Sequence, residues 1–155
     1  MMAWMLLIGV VAGLRTLTPL AAVSWAAHLG WVPVQGTWLS FLAASITPYL
    51  VTVLALAELV ADKLPTTPSR KAPVGFGARI VSAALCGGAL GAASGAIFIG
   101  FLLGGIGAVI GTLGGAALRT RLAQAFGKDF PAALLEDVLA IATAIVVVCV
   151  ARNIH

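Results

Sequence analysis

Residues 86–115 read CGGALGAASGAIFIGFLLGGIGAVIGTLGG, and the fold class follows from them. Gly87, Gly91 and Gly95 recur every fourth residue, and Gly107, Gly111 and Gly115 do so again. On a helix each triplet makes a strip without side chains, along which a second backbone can come close. In water every glycine inside a helix costs about 1 kcal/mol relative to alanine, so two such runs would be self-defeating. In lipid no water competes for the backbone hydrogen bonds, and a narrow seam gains dispersion contact along its length. The stretch therefore reads as a transmembrane helical hairpin, a glycine zipper turning near Leu103-Gly104-Gly105.

The rest of the composition agrees. The chain has 155 residues, 61% of them hydrophobic and 9% charged, with a mean hydropathy of +1.12. Soluble domains carry about 25% charged residues, so this is an all-α polytopic integral membrane protein. A span needs roughly 20 apolar residues, which leaves room for about five helices in a single transmembrane domain over 1–155. Hydropathy and loop signals place them at about 2–29, 37–61, 78–101, 105–118 and 132–150. Pro131 opens the last, and the segment holding Pro65, Pro68 and Pro73 with Lys63, Arg70 and Lys71 lies outside the hydrocarbon.

Several function classes fall away. No HExxH, GxSxG or Walker sequence occurs, and Cys86 and Cys149 sit in apolar runs without metal-ligand spacing. No catalytic residue, metal ligand or cofactor is expected. The net charge of +4 reflects loop cations that set topology and does not point to nucleic acid. Lys63, Arg70, Lys71, Arg79, Arg119, Arg121 and Lys128 cluster in or beside two loops on one side of a five-span bundle. The positive-inside rule makes that side cytoplasmic, with the N-terminus inside, the C-terminus outside and Arg152 the exception. Met2–Gly13 is the weak point of this topology: it is read as the start of a full span, with a half-helix or a segment lying in the interface as the alternatives.

The chemistry-bearing residues lie away from the glycines. The first two helices each hold a Thr-Pro step, Thr18-Pro19 and Thr47-Pro48, at matching distances from a turn near Pro33-Val34. Each proline removes a backbone donor and clashes with the carbonyl four residues earlier, at Arg15 and Ala44. Paired breaks near the midplane expose backbone to solutes or ions, or else are kinks capped by the threonine hydroxyls. Arg15 lies well inside the hydrocarbon, where a charge costs at least about 2.5–3.5 kcal/mol unless paired or watered. Helical side chains lean toward their own N-terminus, so Arg15 and Glu58 on antiparallel helices should meet as an ion pair. Asp62, four residues on, shares the face of Glu58, and two like charges there require a cation or a proton between them. Arg79, Glu136 and Asp137 fall at the same level, the two acids doubling as first-turn dipole partners. Gly13-Leu14-Arg15 and Gly77-Ala78-Arg79 form a faint internal echo.

GLRTLTPLAA, AELVADKLPTTPSR, GARIVSAALCGGALG and LLEDVLAI together resemble a family of small bacterial membrane proteins catalogued as a domain of unknown function (the 4126 family). The resemblance covers most of the chain and falls on the charged and glycine positions named above. It implies a bacterial cell (inner) membrane and carries no activity or site with it. The residues themselves suggest a small transporter or channel for a small ion or polar solute, working in the bilayer as a homo-oligomer. The alternative is a structural or assembly protein in which the same charges are internal ion-pair glue. A third option is a lipid-modifying enzyme, using the Ser69-Arg70-Lys71 loop to meet anionic headgroups.

Overall fold

The computed structural model describes residues 1–63 and 72–153, and among these every regular element is helical. The loop residues Pro65, Pro68, Ser69, Arg70 and Lys71 lie outside the described residues. The first expected span is not one helix. It divides into α1 (Met2–Leu14) and α2 (Leu17–His28), with Arg15 between them in extended backbone at φ −138°, ψ 118°. Pro19 is the cause, because its ring excludes a helical carbonyl four residues earlier, at Arg15. Pro19 itself sits in the first turn of α2, where a missing N–H costs nothing.

The second expected span follows the same rule. Residues Trp38–Ala43 form a 3₁₀ turn, Ala44 is extended at φ −61°, ψ 142°, and α3 (Thr47–Ala61) starts with Pro48 in its first turn. Both prolines therefore start helices and neither kinks one. They also do not share a depth, since Pro19 lies near the Arg15 break whereas Pro48 stands at the end of α3 remote from Glu58. Ten residues at about 1.5 Å each separate Pro48 from Glu58 by roughly 15 Å.

The remaining elements are α4 (Pro73–Ala92), α5 (Ile97–Phe126) and α6 (Asp129–Arg152). The turn between α4 and α5 falls at residues 93–96, with Gly95 at φ +68°, and not at Leu103-Gly104-Gly105. Gly95 is thus a turn residue and leaves the packing strip. Gly104 serves close approach inside α5, its Cα side pressed on the Ala83 carbonyl of α4. Gly87 abuts Gly100 and Gly91 abuts Ala96, so α4 and α5 are antiparallel neighbours. Gly107 and Gly111 face a different partner, the α1 backbone at Leu6 to Val10, and Gly115 is buried farther along α5.

Helix directions follow from these contacts. Gly9 abuts Gly104 and Gly13 abuts Ala108, so α1 runs parallel to α5. After Gly127-Lys128 the chain returns along α6, whose far end brings the Arg152 guanidinium over the Trp31 ring at 4.9 Å. Trp31 follows α2, so α2 runs with α6 and against α1. Residues 1–28 consequently form a hairpin that enters from one end of the bundle, reverses at Arg15-Thr16, and leaves by the same end. At about 1.5 Å per residue α1 is roughly 20 Å long, short of a hydrocarbon core of about 30 Å. Met1 and Arg152 therefore lie at the same end of the protein, which corrects the expectation of termini on opposite sides.

Three helices, α4, α5 and α6, are long and apolar enough to cross a membrane, while α1 and α3 are shorter apolar helices. The upper half is packed by Met5, Ile8 and Val11 of α1 against Val23, Leu39, Leu90 and Val147. The other half, away from Arg152, holds Arg15 and the acids that surround it.

Candidate functional site

The site grows from the break. Reversing a chain inside apolar surroundings frees the last carbonyls of one helix and the first amides of the next, and each freed group needs a partner. The Arg15 amide bonds back to Val11 O at 2.8 Å. The Gly13 carbonyl accepts from Thr112 Oγ1 of α5 at 3.2 Å. The Thr16 carbonyl accepts from Ser82 Oγ of α4 at 2.5 Å. The amides of Thr16 and Leu17 donate to Glu58 Oε1 and Oε2, each at 2.8 Å. Side chains from α3, α4 and α5 thus replace the bonds that a continuous helix would have made for itself.

Glu58 is therefore not the ion-pair partner of Arg15. Its carboxylate caps α2, where the positive end of the helix dipole and two aligned donors favour an anion. The Arg15 guanidinium, 1% exposed, turns instead to Asp62 at the end of α3 and to Asp137 of α6. It bonds Asp62 Oδ2 through Nη1, and its Nη2 stands 2.5 Å from Asp137 Oδ1. That second contact is an ion pair by distance without hydrogen-bond alignment, and Arg15 Nε and Nη2 have no hydrogen-bond partner. The repulsion expected between Glu58 and Asp62 is relieved on both sides, by backbone amides at one acid and by Arg15 at the other.

An outer layer completes the cluster. Lys63 Nζ lies 2.6 Å from Asp137 Oδ2 and 2.9 Å from Leu59 O. Arg119 forks onto Asp129 with bonds of 2.9 and 2.6 Å, and its Nη1 is 4.0 Å from Asp62 and 3.9 Å from Glu136. Glu136 and Asp137 are buried at 7% and 5% exposure, and Arg79 is buried in α4. All five acids of the chain, Glu58, Asp62, Asp129, Glu136 and Asp137, lie at this one end. An apolar crevice with Leu14, Gly115, Leu118 and Leu139 on its walls reaches Arg119 and Glu136.

Of the residues expected to form the site, the structure joins Arg15, Asp62 and Asp137 directly, with Glu58 on the adjoining backbone. Thr18 is buried in the first turn of α2, and its Oγ1 has no hydrogen-bond partner. Thr47 and Pro48 stand apart at the far end of α3, Thr47 Oγ1 bonding Phe41 O at 2.7 Å. Sequence reasoning missed Thr16, Ser82, Thr112 and the role of Arg119. Thr112 was legible as a polar residue within the glycine-rich α5, and Ser82 as one helical turn beyond Arg79. Among the described residues no group of three His, Cys, Asp or Glu side chains is arranged to hold a metal ion.

Half-length helices that reverse at a buried arginine, braced by three helices of membrane-spanning length, define a membrane-embedded helical protein with an internal charge cluster. A family model described as "Domain of unknown function (DUF4126)" matches residues 2–152, and the chain belongs to that family. No curated protein and no solved structure matches it.

Proposed function

We propose that the protein is a small membrane transporter for a small ion or polar solute. The observation that carries this reading is the α1–α2 reversal, with backbone and guanidinium held inside the bundle by acids from α3 and α6. Half-helices meeting within a membrane place dipole ends and unwound backbone where solutes are coordinated, and intramembrane charges mark solute pathways by default. In the state described Arg15 is enclosed, so passage requires movement. α3 is the element suited to move: only Pro48, Val51 and Ala55 of its fifteen residues are buried, yet it supplies both Glu58 and Asp62. The loop cations put the charged end on the cytoplasmic side, and with it both termini on the outer side of the cell membrane. The protein works as a homo-oligomer through its exposed apolar helix faces.

Solute flux into proteoliposomes, compared among wild type, Arg15→Ala and Glu58→Gln, tests this. Loss of flux in variants that remain folded is expected; equal leakage from all three removes the transport reading. One observation favours the second reading, a structural or assembly protein: the enclosure of Arg15 between two carboxylates is also what internal glue requires. That reading expects no flux from wild type and full retention of phenotype in any variant that keeps the fold.

A further inference from the structure

The crevice between α5 and α6 has Leu14, the residue before the break, on its inner wall. Leu118 of α5 and Leu139 of α6 stand at its opening, 49% and 47% exposed. Its polar end is Arg119 with Glu136, the guanidinium fixed there by its fork onto Asp129. At about 1.5 Å per residue α5, starting at Ile97, covers a hydrocarbon thickness of about 30 Å near residue 117. The crevice therefore runs from apolar depth at Leu14 to headgroup level at Arg119. Leucine walls offer water no hydrogen bonds, so an acyl chain fills such a slot better than solvent does.

The rim of the crevice is cationic. Arg121 stands one helical turn beyond Leu118, and Lys128 lies four residues before Ala132 of the opposite wall. Both are exposed, and among the described residues neither has an ion-pair partner. The nearby acids are engaged elsewhere, Asp129 at 2.6 Å from Arg119 and Glu136 at 3.9 Å from it. Phe126 and Phe130 bracket Lys128 and are more than half exposed. Apolar rings beside cations seat a surface at the boundary of headgroups and acyl chains. Apolar slot and uncompensated cations thus match the two halves of one molecule, a lipid with an anionic headgroup.

We propose that the α5–α6 crevice is a binding site for an anionic glycerophospholipid. One acyl chain lies between Leu118 and Leu139 with its far part against Leu14, and the phosphate is met by Arg121 and Lys128. Arg119 stays with its own acids and closes the slot between chain and headgroup. The two rim cations, left uncompensated by the protein, give the site its preference for an anionic over a zwitterionic lipid. The inference does not depend on the transport reading.

Native mass spectrometry of the purified full chain, given equimolar dioleoyl phosphatidylglycerol and dioleoyl phosphatidylcholine, reads the site without any flux. The phosphatidylglycerol adduct should exceed the phosphatidylcholine adduct by about five- to thirtyfold, the factor that one or two cations contribute at a charged lipid surface. The double variant Arg121→Ala, Lys128→Ala alters only exposed side chains and should bring the ratio close to one. Leu118→Trp fills the crevice and should cut the adducts of both lipids at least about fourfold, the equivalent of one buried methylene. Leu139→Trp is read in the same way if Leu118→Trp does not fold. Equal adducts of the two lipids in wild type overturn the proposal, as does an undiminished ratio in the double variant or undiminished adducts in the tryptophan variant. Displacement of the lipid by soluble glycerol phosphate at equal concentration overturns it too, since the site would then hold an anion without needing a chain.

Discussion

Arg15 Nη2 stands 2.5 Å from Asp137 Oδ1, joining the α1–α2 break to the third turn of the last helix. Both side chains are almost wholly buried, and Asp137 is shared with Lys63 on its other oxygen. The pair ties the N-terminal hairpin to α6 at the point where the hairpin reverses. Removing the cation takes one partner from the buried carboxylate of Asp137 and one from half-buried Asp62, so Arg15→Met should lower stability by about 3–5 kcal/mol. Asp137→Asn, which leaves Arg15 with Asp62, should cost less, about 1–3 kcal/mol. Unfolding in detergent micelles ranks the two; an Arg15→Met variant as stable as wild type would show the pair to be incidental.

The Thr112 hydroxyl answers the Gly13 carbonyl, and both residues are buried. Thr112→Val keeps the shape and deletes the donor, leaving the carbonyl at the end of α1 unsatisfied in an apolar environment. A loss of about 1–3 kcal/mol is expected, together with faster hydrogen exchange at residues around the break. Unchanged exchange there would mean that the carbonyl finds another partner.

The glycines of α1 and α5 separate into two kinds. A methyl group at Gly9 or Gly111 would run into the backbone of the facing helix, whereas one at Gly114 would meet nothing within 4 Å. Gly9→Ala should therefore destabilise by about 1–3 kcal/mol, and Gly114→Ala should be neutral or stabilise by up to about 1 kcal/mol. Thermal midpoints of the two variants in the same detergent provide the comparison. A harmless Gly9→Ala would show that α1 can stand off from α5.

Placing both ends of the chain on one side has a direct check. Epitope tags on the N- and C-termini should be digested together by protease added from one face of sealed vesicles, and protected together from the other. Tags cleaved from opposite faces would show that residues 1–28 cross the bilayer once and do not turn back.

Much of this arrangement was legible in the sequence, and its limits have physical reasons. Composition and the glycine periodicity gave the helical membrane class, since no other context tolerates so many helix glycines. The two prolines located the breaks, because the forbidden carbonyl lies four residues earlier and both Arg15 and Ala44 are extended. The direction after the break was not legible. Proline stops a helix, but whether the next one continues or reverses depends on who satisfies the freed backbone, and those partners, Glu58, Ser82 and Thr112, come from distant positions. The same blindness moved the α4–α5 turn: Gly104-Gly105 and Gly95 are chemically alike, and only the positive φ at Gly95 marks it as the corner. The acids were expected to converge, and they do, but the pairing of Arg15 with Glu58 failed because a helix start outcompeted the guanidinium for that carboxylate.

The shared neutralisation of Arg15 has a consequence for the order of events during synthesis. Asp62 is translated well after the hairpin, and Asp137 only with α6, after α4 and α5 have been made. The first helices must therefore wait at the membrane with an uncompensated cation, where central placement costs at least about 2.5–3.5 kcal/mol. The α1–α2 hairpin is accordingly made before every acid that neutralises it, and it is locked only when α6 arrives to close around its arginine.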